Sequence, residues 1–181
     1  AAARTVTHDG SGSARTGSSL YAEMMSLAPE IRREIVTGLG EQDLVRLLRA
    51  ANRDGGSMYA LYRDDPVGFV EDVLGESLWS KPREILRAIP THKRIAVPSC
   101  FGSSKTWSTS RTALWWATVH PPGTAQVVTI APLWRQVVRL LWRELRHAHA
   151  RSGLPGTADM AQLKLPDDME GADAVVAYGI A

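Results

Sequence analysis

The chain has 181 residues, 44% hydrophobic and 22% charged, with one cysteine and a net charge of +2. That length supports one full domain with roughly 70% of its unfolded surface buried. The single cysteine excludes an internal disulfide framework and fits a reducing cytosol. No apolar run nears the ~20 residues that span a bilayer, and the N-terminus lacks the apolar segment of a secretory signal, so no membrane partner is expected.

The small net charge hides a partition. Residues 1–84 carry 10 Lys/Arg against 13 Asp/Glu, residues 85–158 carry 10 against one (Glu144), and residues 159–181 carry one against five. The middle block is therefore strongly basic, which suits an anionic partner; the plainer alternative is a solvated surface.

In chain order, residues 1–19 are Gly/Ser/Thr/Ala-rich and read as a disordered tail. Residues 20–76 read as a helical segment. In "SLAPEIRREIVTGLG", Ser26 offers a cap, Pro29 suits a first turn, and Gly38 or Gly40 a stop. "EQDLVRLLRAA" repeats apolar residues at Leu44, Leu47, Leu48 and Ala51, a helical period. "NRDGGS" (52–57) is a turn, and "DDPVGFVEDVLG" is a short helix capped by Asp64 or Asp65 before Pro66.

From residue 77 the rhythm changes. "SKPREILRAI" is a helix with Pro82 near its start, "KRIAVP" a strand, "KTWSTSRTALWWATV" a helix, and "AQVVTI" a second strand. "APLWRQVVRLLWRELRHAHA" is a long helix stopped by "GLPG", and "VVAY" is a further strand. Alternation of strand and helix is the α/β signature, and it predicts a parallel sheet covered on both faces.

The stretch "VPSCFGSSKTW" (97–107) sits at the expected strand-to-helix junction, where a phosphate-binding loop belongs. Such a loop aims successive backbone N–H groups and a helix N-terminus at an anion, with one lysine adding a point charge. Ser99, Cys100, Phe101, Gly102, Ser103 and Ser104 supply the backbone, Lys105 would reach the β- and γ-phosphates, and the Thr106 hydroxyl would ligate Mg²⁺. Both glycines of the G-x-x-x-x-G-K-[ST] pattern are replaced by serine. At Ser104, a left-handed conformation would cost about 1–2 kcal/mol, which weakens a site without abolishing it. A phosphatase cradle would need C-x-x-x-x-x-R, and Cys100 has no such arginine. A serine hydrolase would want G-x-S-x-G, which is absent. The remaining rival is a serine-capped helix start.

The surroundings of this loop resemble the large subunit of tailed-phage terminases, over about residues 62–181. The resemblance is carried by "DPVGFVEDVLGESLW", "VPSCFGSSKTW", "RTALWWATVHPPG" and "VVTIAPLWRQVVRLLWREL" with its T-x-A-P turn. It departs from the family at Ser104 and at Pro82, where the family tends to place a glutamine that recognises adenine. The resemblance implies a RecA- or helicase-like P-loop ATPase fold, a three-layer α/β/α with a parallel sheet over residues 77–181. It also implies ATP and Mg²⁺ as cofactors, Lys105 as the catalytic residue, and a Thr129–Pro132 turn that couples nucleotide state to DNA. The implied role is the ATP-binding portion of a motor that drives double-stranded DNA into proheads in the host cytoplasm. Its partners would be the terminase small subunit, the portal protein and further copies in a ring. The family's acidic Mg²⁺-positioning strand, catalytic glutamate and nuclease are expected beyond residue 181, so the chain alone is expected to turn over little ATP. The alternatives are a non-catalytic DNA- or portal-binding remnant and another helicase-like translocase.

Arg135, Arg139, Arg143 and Arg146 are spaced +4, +4, +3, an arc of about 80° on a helix. They are candidate contacts to DNA phosphates or a neighbouring subunit, or else a solvated face. Trp134, Val138, Leu141, Leu145 and Ala148 are expected on the packed side. Of the six tryptophans, those in the α/β segment read as core. His147 and His149 lack companions for a metal site. Asp167, Asp168 and Glu170 read as an acidic loop.

Overall fold

The computed structural model describes residues 23, 24, 26–40, 42, 43, 57, 59–167 and 172–181. The expected tail over 1–19, the helix at Leu44–Ala51, most of the "NRDGGS" turn, and Asp168 and Glu170 lie outside them.

Helix α1 (Pro29–Gly38) opens on proline as expected, but its cap position is Ala28 and no side chain caps it. Ser26 instead donates to the Glu23 carbonyl at 2.6 Å, closing the turn before. Helix α2 starts at Pro66–Gly68, capped by Asp65, which accepts from the Gly68 amide at 2.8 Å. It then widens into a π turn over Phe69–Val73. Phe69 and Val70 are consecutive and both fully buried, so this short element is enclosed on more than one side. Helix α3 (Ser80–Ala88) carries Pro82 in its first turn, where a missing N–H costs nothing.

Residues 93–98, "KRIAVP", join no strand ladder and are exposed throughout. Their composition supplies β-propensity, but a strand exists only where a neighbour completes its hydrogen bonds. Helix α4 (Lys105–Val119) follows, then β1 (Val127–Ile130). Helix α5 begins at Trp134–Gln136, passes through a π turn at Val137–Leu141 and continues over Trp142–Ser152. Strands β2 (Thr157–Asp159), β3 (Gln162–Asp167) and β4 (Ala172–Ile180) complete the order.

The molecule is a mixed α/β structure whose four-stranded sheet has the order β1-β4-β3-β2. β1 and β4 are parallel, with Val127 opposite Ala177 and Ile130 opposite Ile180. β2–β3 and β3–β4 are antiparallel. The sheet is therefore mixed, where alternating elements had predicted a parallel one. The difference comes from the β2–β3 hairpin: β2 is three residues long with little strand character, and β3 alternates buried Leu163 and Leu165 with Gln162 and Lys164, a pattern too short to stand out. One face packs under α5. A Cβ on Gly179 would fall 2.4 Å from Val137 Cγ1 and 2.8 Å from Trp142 Nε1, so glycine permits the close approach. On the other face Val128, Ile130 and Ile180 are exposed, which departs from the expected cover on both sides.

The core gathers Phe69, Val70, Leu86, Leu114, Trp115, Trp142, Leu145, Leu163 and Val176. The tryptophans at its centre satisfy their indole N–H groups, Trp115 to the Tyr62 carbonyl at 2.7 Å and Trp142 to Thr129 Oγ1 at 2.9 Å. Truncating either to alanine would cost about 3–5 kcal/mol. The π turn in α5 inserts one residue and turns the helix. As a result Val137 and Trp142 are buried while Trp134, expected inside, is 46% exposed. Among the described residues no helix is long and apolar enough to cross a membrane.

Candidate functional site

The loop at 99–106 is compact and closed by its own lysine. Lys105 Nζ donates to the carbonyls of Ser99 at 2.9 Å and Cys100 at 2.6 Å, and to Ser103 Oγ at 3.1 Å. Ser103 Oγ in turn donates to the Cys100 carbonyl at 2.9 Å and lies 2.8 Å from the Ser99 hydroxyl. The chain thus turns around an ammonium group, with the Ser99 and Cys100 carbonyl oxygens facing it.

Two residues make that turn possible. Gly102 has φ +76°, a conformation closed to most side chains. Ser104 has φ 65° and ψ 17° and is the one non-glycine residue with positive φ among those described. The strain expected at the glycine position is therefore present, at the residue that launches α4. The first helical bond runs from the Ser108 amide to the Ser104 carbonyl at 2.9 Å. The Ser104 side chain does not cap the helix, so the simple cap reading of these serines fails. The first-turn N–H groups, left without intrahelical acceptors by geometry, stay available to an anion.

Phe101 stands fully out at the loop tip, and Cys100 is exposed and free. Thr106 is exposed and offers one neutral hydroxyl. Among the described residues no group of three His, Cys, Asp or Glu could hold a metal. Magnesium prefers carboxylates together with phosphate oxygens, so Thr106 fits it only as the companion of a bound phosphate.

Behind the loop lies a charged cluster that sequence reading missed. Arg111, two turns into α4 with its side chain 2% exposed, donates from Nε and Nη2 to Glu76 at 2.7 and 2.6 Å. Its Nη1 donates to Ser110 Oγ at 2.9 Å and lies 3.6 Å from Glu144. Arg151, near the end of α5, also donates to Glu76. The Arg111 guanidinium sits 4.5 Å from the centre of the Trp107 ring, and Trp79 leans on Trp107 with centroids 5.4 Å apart. The Trp107–Arg111 spacing of four was a visible signal, since such pairs meet on a helix. Glu76 had none.

The four α5 arginines divide. Arg135 and Arg139 are exposed with no ion-pair partner among the described residues. Arg143 lies 3.7 Å from Glu144, and Arg146 donates to the Met160 carbonyl at 2.6 Å. Thr129, at the start of the Thr129–Pro132 turn, accepts from the Trp142 indole and donates to the Tyr178 carbonyl at 3.3 Å. That ties the turn to both α5 and β4. A small cavity lined by Arg32, Arg33, Val36, Leu61, Tyr62 and Asp65 shares no residue with the loop.

No family model, curated protein or solved structure matches the chain.

Proposed function

We propose that residues 99–106 form the triphosphate-binding loop of a DNA-packaging ATPase, and that the chain is the ATP-binding portion of a phage terminase large subunit with a P-loop NTPase fold. One observation carries the reading: a turn of eight residues closes around Lys105 and feeds directly into a helix N-terminus. On this reading a triphosphate draws the ammonium off the Ser99 and Cys100 carbonyls and onto its β- and γ-oxygens. The amides of Gly102 to Thr106 then turn to phosphate, and the Thr106 hydroxyl joins the coordination of Mg²⁺. A bound magnesium ion would supply charge neutralisation of the phosphates. No described residue is assigned the water-orienting role that turnover requires.

The Thr129–Pro132 turn would pass nucleotide state to α5, whose Arg135 and Arg139 then meet duplex DNA. Small subunit, portal and ring partners belong to the same proposal. A second reading, a DNA- or portal-binding remnant without nucleotide, is favoured by those two arginines alone, which have no ion-pair partner among the described residues. The experiment is Mg-ATP titration followed by Trp107 fluorescence. A saturable change that Lys105→Ala removes supports the first reading. No change at millimolar ATP, with duplex binding retained, leaves the second.

A further inference from the structure

Of the six tryptophans, five have a side-chain partner. Trp79 and Trp107 lean on each other, Trp116 lies on His120, and the indoles of Trp115 and Trp142 donate hydrogen bonds. Trp134 has neither a ring contact nor a side-chain hydrogen bond among the described residues. It opens α5 and is exposed, with Arg135 directly after it and Arg139 one turn further on. Leu133 before it and Leu140 beyond it are exposed as well. The outer face of α5 thus sets a flat ring and two aliphatic side chains beside two cations that have no ion-pair partner among the described residues.

We propose that this face takes an unpaired DNA strand in preference to a duplex, with Arg135 and Arg139 on its phosphates and one base stacked on Trp134. The proposal rests on the reading that α5 meets DNA, and it names the form of DNA that fits there. The cations select a polyanion of either form. In a duplex each base face is covered by its neighbours, so an indole at the surface gains nothing and the two leucines would lie against phosphates. In a single strand the faces are open, and every base has a π face that an aromatic ring can take. The ring therefore supplies the difference between the two forms. Arg143 lies 3.7 Å from Glu144 and Arg146 donates to the Met160 carbonyl, so the strand is held at the first turns of α5, where Trp134 stands.

The test is fluorescence anisotropy of the full chain with a labelled oligothymidylate and with a blunt duplex of the same length. The oligothymidylate should bind more tightly. Losing one base–aromatic stack should weaken it by about ten-fold in Trp134→Leu, with duplex affinity unchanged, while Trp134→Phe, which keeps a flat ring, should retain most of the affinity. The salt dependence separates the two roles. Arg135→Ala/Arg139→Ala should flatten the log–log slope for the strand by about 1.4, at about 0.7 per phosphate, and Trp134→Leu should leave that slope as it is. The leucine variant keeps apolar volume, so a packing role alone would not weaken one form of DNA and spare the other. Equal binding of strand and duplex, or wild-type strand affinity in Trp134→Leu, overturns the proposal, while duplex binding that the arginine variant weakens still supports DNA on α5. If neither form binds and sedimentation shows self-association that Trp134→Leu abolishes, the face belongs to a second copy, and the proposal falls together with the DNA reading.

Discussion

Two sets of arginines divide this molecule. Arg32, Arg33, Arg83 and Arg111 all meet carboxylates, on Asp64, on Glu71 and Asp72, on Glu71, and on Glu76. Arg135 and Arg139 on α5 meet none among the described residues. The first set bonds the acidic N-terminal half into the fold, and its members are buried or half-buried. The second stands in solvent within the block that carries one acidic residue against 10 basic ones. The net excess of positive charge is therefore not spread evenly. It is what remains after the N-terminal carboxylates have neutralised their own neighbours, and it is presented where an anion can reach it.

The contrast breaks most sharply at Glu76. Glu76→Ala would leave the Arg111 guanidinium buried without its bidentate partner, at a cost of about 3–5 kcal/mol. A urea midpoint lowered accordingly, with Glu76→Gln less affected, is the expected result. A shift within experimental scatter would mean that Arg111 reaches water and that the two sets do not differ in kind.

Glu71 tests the same set through pH. Burial alone would raise its carboxyl, but hydrogen bonds from Arg83 and Arg33 outweigh it and hold the group below the ordinary glutamate range. A depressed folded-state value gives stability that is complete above the unfolded value and is lost as pH falls through the folded one. Wild-type stability should thus fall more steeply than that of Glu71→Gln in the acid range below about pH 4.5. Above that range the difference between the two should be constant. Parallel curves across the acid range would remove Glu71 from the paired set.

Ser104 carries a smaller effect of another origin. Its left-handed backbone costs about 1–2 kcal/mol relative to glycine, offset by about 0.5–1 kcal/mol from glycine's freer unfolded chain. Ser104→Gly should therefore stabilise by no more than about 1.5 kcal/mol and bind Mg-ATP more tightly, both read in one thermal-shift series.

Ser104 also shows what a sequence can reveal. Its position two residues past Gly102 and just before a lysine marked it as the strained link, because the constraint is local and the replaced glycine is conspicuous. Helix α4, β1, α5 and β4 were legible for the same reason, each having its period or its β-branched run within one segment. The unread features are those that depend on a partner far along the chain. "KRIAVP" has the composition of a strand, yet no neighbour among the described residues pairs with it. Thr157–Asp159 has little strand character and is held because Lys164, Leu163 and Gln162 lie opposite. Glu76 meets Arg111 across 35 positions, beyond any helical spacing. The π turn in α5 is a subtler case. Its extra residue brings Val137 and Trp142 inward together, and a regular period of 3.6 cannot express that.

The same turn decides the smallest prediction. A regular helix would place four arginines on one stripe and, if all contacted duplex phosphates, would steepen the log–log salt dependence by about 3.6. In the structure Arg146 is engaged with the Met160 carbonyl and Arg143 lies beside Glu144, so two cations remain uncommitted. The double variant Arg135→Ala/Arg139→Ala should change stability by no more than about 0.5 kcal/mol, as expected for exposed side chains without partners. It should flatten the salt dependence of duplex DNA binding by about 1.8. Arg143→Ala/Arg146→Ala should flatten it by clearly less. Equal losses from the two pairs would mean that the carbonyl and Glu144 do not hold their arginines back. No loss from the first pair would turn the exposed face of α5 away from DNA and toward another anionic surface.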